Sequence, residues 1–81
     1  MTFNKAVAIR ISKLLEEKKM SKYRLVQKSG VTQSALRYMF NEVNDDVRFS
    51  TIVKIANALG VSLKESFDDK VFDYSNFENL E

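Results

Sequence analysis

The segment Ser29-Gly30-Val31-Thr32-Gln33-Ser34-Ala35-Leu36 decides how this chain folds. Gly30 can end a helix because glycine adopts left-handed backbone angles at little cost. Thr32 then stands where a hydroxyl can cap a new helix. We predict one short helix before this turn, over about residues 22–28, with Ser21 as its N-cap. A second follows over about residues 33–40. Two such helices joined by a short glycine-containing turn cross steeply and leave the second one projecting.

Three more helices are predicted around this pair. Apolar residues at three- and four-residue intervals indicate a first helix over about residues 4–18, without an obvious N-cap. Ser50 is predicted to cap a fourth helix that ends at Gly60, and Ser62 a short fifth. The polar, acidic stretch over residues 41–48 is predicted to be a loop. No alternating strand pattern occurs, so the sequence predicts an all-α domain of five helices.

Composition excludes several classes of function. The chain has 81 residues and a mass of 9.4 kDa, which is enough for one small domain. It has neither cysteine nor histidine, and so lacks disulfides, thiol nucleophiles, thiolate metal ligands and imidazole bases. The longest apolar run near the start, residues 6–9, is too short for a signal peptide or a membrane span. We expect a cytoplasmic protein that is not an enzyme and needs no cofactor or metal.

Charge is distributed unevenly along the chain. Residues 1–62 contain eleven Lys or Arg and five Asp or Glu, a net charge of +6. Residues 63–81 contain two bases and six acids, a net charge of −4. Between Lys18 and Arg37 there are six bases and no acid. This pattern is typical of a surface that binds a polyanion such as nucleic acid, although a merely solvated basic surface has the same composition.

Three stretches together resemble the Cro/phage-repressor-like helix-turn-helix family, also called the xenobiotic-response-element family of bacterial regulators. They are residues 20–26 (MSKYRLV), residues 29–36 (SGVTQSAL) and residues 52–61 (IVKIANALGV) followed by Ser62-Leu63. The resemblance covers about residues 7–67. It implies a five-helix, lambda-repressor-like DNA-binding domain over residues 1–67. Such proteins are bacterial or phage-encoded transcriptional regulators, usually repressors, and often bind a palindromic double-stranded operator as homodimers.

The resemblance also assigns roles to individual residues. Outward positions of the helix that starts at Gln33 are implied to read base edges in the major groove: Gln33, Ser34, Arg37 and Tyr38. Other positions are implied to hold DNA phosphates: Arg10, Ser21, Lys22, Tyr23, Thr32 and Asn41. The chain departs from the family in having Val26 where a small alanine is usual and Phe40 where an acid is frequent. The loop over residues 41–49 is also about one residue longer and lacks the usual glycine and proline.

The segment over residues 68–81 is acidic but rich in aromatic residues. Its apolar positions, with the residue that precedes it, are Phe67, Val71, Phe72, Tyr74, Phe77 and Leu80. So many apolar residues argue against simple disorder. We leave open whether the segment packs on its own domain or forms a homodimer contact, with disorder as the third alternative. An alternative function is an antitoxin-like or adaptor module of the same fold that binds a protein partner through this segment.

Overall fold

The computed structural model describes residues 1–41 and 47–77, and in these ranges the protein is all-α, as predicted. Leu80 and residues 42–46, most of the predicted loop, lie outside the described residues. Five α-helices are followed by two 3₁₀ turns. Their bounds are α1 Phe3–Lys18, α2 Lys22–Ser29, α3 Gln33–Asn41, α4 Phe49–Leu59, α5 Leu63–Ser66, and the 3₁₀ turns Lys70–Phe72 and Tyr74–Asn76.

Short polar side chains cap four of these helices, among them α3, which is capped by Thr32. The hydroxyl of Ser21 accepts a hydrogen bond of 3.0 Å from the Arg24 amide, and that of Ser62 accepts one of 3.0 Å from Glu65. Together with Thr32, these two confirm three of the four predicted caps. Helix α1, for which no cap was predicted, is capped by Thr2, whose hydroxyl accepts from the Lys5 amide at 3.1 Å. Each cap satisfies an amide that the first helical turn would leave without a partner.

The predicted cap of the fourth helix is wrong. Helix α4 begins at Phe49, and Arg48 occupies the cap position without a side-chain cap bond. The extended backbone of Arg48 ends the loop, and its carbonyl accepts the amides of Thr51 at 3.0 Å and Ile52 at 3.3 Å. Ser50 is therefore the second residue of the helix, whereas a capping side chain belongs to the residue just before the helix begins.

One hydrophobic core joins the helices and fixes the position of α3. Helix α2 packs against α4, and α1 packs against α3 and α4. The buried residues of this cluster are Val7, Ile11, Leu14, Leu15, Leu25, Val31, Leu36, Met39, Ile52, Ile55, Ala56, Leu59 and Val61. Leu36 and Met39 supply the buried positions of α3. Helix α3 is thus held by its inner side while its outer side stays exposed.

The aromatic segment after α5 packs on its own domain. Phe67 and Phe72 meet edge to face with ring centres 5.0 Å apart. Phe3 contacts both rings, at 6.5 Å from Phe67 and 6.3 Å from Phe72. Val71 is buried, whereas Tyr74 is 83% exposed. Phe67, Val71 and Phe72 thus pack on their own domain, which was one of the roles left open for this segment. Phe77 is half-buried.

Asp69 anchors this segment electrostatically to α1. Its carboxylate accepts the Val71 amide at 2.8 Å, the Lys13 ammonium at 3.2 Å and the Arg10 guanidinium at 3.5 Å. The hydrogen bond from Val71 is the main reason that the pKa of Asp69 lies below its ordinary value. Lys13 and Arg10 lower the pKa further, while burial opposes the shift. Because folding favours the charged carboxylate, Asp69 stabilises the fold only while it is ionised.

We predict that Asp69→Asn lowers the free energy of unfolding by about 1 kcal/mol at neutral pH, because charge-assisted hydrogen bonds are lost. The pKa of Asp69 is depressed in the folded chain, so its contribution is complete above the ordinary value of 3.8. It disappears as the pH falls through the folded-state pKa. Urea unfolding at neutral and acid pH measures the difference, with the exposed neighbour Asp68→Asn as control. An equal loss at both pH values would contradict the assignment.

Candidate nucleic-acid interface

The turn between α2 and α3 sets the direction in which α3 projects. Gly30 ends α2 with φ +76°, in the left-handed region where a side chain would introduce strain. Val31 follows and is buried, which fixes the turn to the core. Thr32 then starts α3, because its hydroxyl accepts the Ala35 amide at 3.0 Å. Thr32 is therefore used as a helix cap and lies at the N-terminus of α3.

The outer side of α3 presents a row of polar side chains. Gln33, Arg37 and Asn41 are exposed and stand four residues apart, so they follow one another along one side of the helix. Ser34 is exposed beside them, and Tyr38 is 51% exposed. A helix that offers a carboxamide, a hydroxyl and a guanidinium on one surface has the donors and acceptors that base edges require.

The N-terminus of α2 lies next to this surface. The Ser21 hydroxyl accepts the Arg24 amide and keeps its own O–H free to donate to another acceptor. Lys22 is exposed at the first helical position, and Tyr23 is 72% exposed. Amides at a helix N-terminus attract anions, and the positive charge of Lys22 adds to that attraction.

A groove of about 270 Å³ separates α2 from α3. Its lining residues are Lys22, Tyr23, Val26, Gln33, Leu36, Arg37, Phe40 and Asn41. The exposed residues of this set are polar or aromatic, whereas Val26, Leu36 and Phe40 are buried or half-buried. The Lys22 ammonium lies 3.9 Å from the centre of the Phe40 ring. The groove therefore combines an apolar base with a rim that carries two cations and several hydrogen-bonding groups.

The structure brings together most of the residues that the sequence assigned to DNA binding. Five of them line the groove: Lys22, Tyr23, Gln33, Arg37 and Asn41. Ser21 and Thr32 lie at the N-termini of the two helices. Tyr38 lies outside the groove and lines a second depression together with Val47 and Arg48, the residues just before α4. The exposed surface of α3 is thus wider than the groove alone.

Arg10 is the exception among the predicted phosphate contacts. Its guanidinium donates to the carbonyls of Glu65 at 2.9 Å and Ser66 at 3.2 Å, and to the Asp69 carboxylate at 3.5 Å. The Arg10 side chain is only 13% exposed in the pair with Asp69. These bonds hold the segment after α5 against α1, and we leave Arg10 out of the interface proposed below.

The sequence alone did not reveal the pairing of Lys22 with Phe40. The contact joins the first turn of α2 to the last turn of α3, so it depends on how the two helices cross. The one available signal was that the chain departs from the family's frequent acid at this position.

Over residues 1–41 and 47–77 no group of three or more acidic, cysteine or histidine side chains is arranged to hold a metal ion. In the same ranges, no helix has the length and hydropathy needed to span a membrane. Asp45 and Asp46, adjacent acids of the predicted loop, lie outside the described residues.

A comparison with protein families identifies the architecture. A family model described as the Cro/C1-type HTH DNA-binding domain matches residues 10–69. The matched range includes most of α1, all of α2 to α5, and Asp69. No curated protein and no solved structure gives a significant match.

Proposed function

Because the chain belongs to the Cro/C1-type helix-turn-helix family of DNA-binding regulators, we propose that it is a transcriptional repressor that binds a palindromic operator as a homodimer. The observation that carries this proposal is the exposed polar side of α3, which the buried Leu36 and Met39 turn away from the core. A single α-helix fits the DNA major groove, where each base pair presents a distinct pattern of donors and acceptors.

Four side chains of α3 are proposed to read bases. The Gln33 carboxamide pairs with adenine, and the Arg37 guanidinium pairs with guanine through two parallel hydrogen bonds. Ser34 bonds with either purine or pyrimidine edges, and Tyr38 contacts a thymine methyl group. Residues around the two helix N-termini and the end of α3 are proposed to hold phosphates: Ser21, Lys22, Tyr23, Thr32 and Asn41.

Substitutions separate base reading from phosphate binding. Arg37→Ala or Gln33→Ala is expected to cost about 1–3 kcal/mol on the preferred site and much less on random DNA, because base pairing is lost. Lys22→Met is expected to weaken binding to the preferred site and to random DNA by similar amounts. It should also make the slope of log K against log salt shallower by about one. Fluorescence anisotropy over a salt series measures both effects. Equal losses from all three variants on every duplex would contradict the assigned reading side.

Selection of bound sequences from a random DNA pool tests the proposed operator. A two-fold homodimer places its two α3 helices in successive major grooves, about one helical turn apart. We therefore expect an inverted repeat with half-site centres separated by about 10 base pairs. Enrichment of one unrepeated half-site would contradict the dimeric operator, and no enrichment at all would contradict sequence-specific binding.

The homodimer needs an apolar contact surface, and exposed apolar side chains on α4 and in the C-terminal segment can supply one. Phe49 and Val53, four residues apart on α4, are 60% and 39% exposed, and Tyr74 stands exposed in the C-terminal segment. We expect Phe49→Ser to weaken self-association if the contact lies on α4, and Tyr74→Ser to weaken it if the contact lies in the C-terminal segment. Neither substitution should unfold the domain. Sedimentation velocity at matched concentrations measures this, with the exposed, polar Ser75→Ala as control. A monomeric parent chain would contradict the homodimer.

The alternative role, an antitoxin-like or adaptor module, has less support. It relied on the aromatic segment as a docking surface for a protein partner. Phe67 and Phe72 instead pack against Phe3 and the core of their own chain. These two rings are therefore engaged within their own domain, so the proposed function rests on DNA.

A further inference from the structure

We propose that Phe40 is a positioning residue that holds the Lys22 ammonium ready for a DNA phosphate. The proposal rests on the proposed function, since it concerns the same DNA-binding surface. It adds a residue to which the sequence assigned no part in DNA binding.

In this pair the Phe40 ring is held by the protein core, and the flexible Lys22 side chain is positioned by the ring. Phe40 is half-buried and packs against the hydrophobic core, so its ring orientation is set by the protein interior. Lys22 is exposed, and its ammonium lies 3.9 Å from the ring centre, well within the range of a cation–π interaction. A long lysine side chain that would otherwise sample many rotamers is thus directed along the groove between α2 and α3.

The chemistry of the pair leaves Lys22 able to bind an anion. The ammonium has three N–H donors, and the ring faces it from one side only. The negative face of the phenyl quadrupole attracts the cation, and because the ring has no net charge it repels a phosphate only weakly. A carboxylate at the same place would neutralise the lysine and repel the DNA backbone. Phe40 therefore orients the charge and leaves it available.

The benefit to binding comes from preorganisation. A flexible side chain loses rotamer freedom when it is fixed against a phosphate, and that loss weakens binding. If the ring already restricts Lys22 in the free protein, part of this loss occurs before DNA arrives. Removal of the ring should lower affinity but leave the number of phosphate contacts unchanged. That combination differs from the effect of removing the lysine itself.

The test compares Phe40→Leu with Phe40→Tyr, which keeps an aromatic face. In the free protein, NMR should show the Lys22 side-chain protons shifted upfield by the ring in the parent and in Phe40→Tyr, but not in Phe40→Leu. With duplex DNA, Phe40→Leu is expected to weaken binding about two- to fivefold, the size of an exposed cation–π interaction. Phe40→Tyr should bind like the parent, and the salt dependence should stay unchanged in both variants.

A double-mutant cycle with Lys22→Met separates positioning from structural damage. The effect of Phe40→Leu on affinity should vanish when Lys22 is already replaced, because the ring then has no cation to hold. A loss that persists in the Lys22→Met background, or that Phe40→Tyr fails to rescue, would overturn the proposal in favour of a packing role. An increase in affinity for Phe40→Leu would overturn it by showing that the ring withholds the lysine.

These outcomes are distinguishable from failure of the proposed function. If the parent chain binds no duplex at any salt concentration, the DNA-binding role fails, and the positioning role fails with it. If the parent binds and Lys22→Met weakens binding while Phe40→Leu does not, only the role of Phe40 is overturned. Thermal unfolding of each variant confirms that the compared chains are folded.

Discussion

The burial of one side of α3 is the constraint on which the rest of the structure depends. Leu36 and Met39 enter the core among residues of α1, α2 and α4, and Val31 holds the preceding turn in place. Since a helix has about 3.6 residues per turn, fixing these positions inward fixes the outward direction of Gln33 and Arg37. The same hydrophobic contacts that stabilise the domain therefore determine which side chains of α3 face outward, and these are the side chains proposed to contact DNA.

The C-terminal segment arranges the charges around this core. Asp69 pairs with Lys13 and Arg10 of α1, so an acid and two bases are engaged on the side of the molecule formed by α1 and the segment after α5. Among the described residues, no ion pair joins this segment to the bases at the start of α2 or on α3. Lys22 and Arg37 are thereby left on the side proposed to bind DNA, where positive charge would attract phosphates and accelerate association.

Local patterns predicted the helices well because their causes are local. Hydrophobic spacing located α1 to α4, and the hydroxyls of Ser21 and Ser62 are caps as expected. The start of α4 was missed because the extended residue that begins it is Arg48, whose side chain carries no capping signal. Long-range contacts were the harder part. The bond from Arg10 to Asp69 spans 59 positions, and the Lys22–Phe40 contact depends on the crossing of two helices. Neither contact produces a periodic pattern in the sequence from which it could be predicted.

We propose that DNA contacts the outer side of α3 and the N-terminus of α2, while the C-terminal segment stays away from it. The most direct measurement is an NMR titration of the isotopically labelled chain with a DNA duplex, read at the backbone amides. We expect the largest shifts on residues 21–23 and 33–41. Residues 70–76 should shift little. Shifts concentrated on residues 70–76 and on α1, with α3 unaffected, would contradict it.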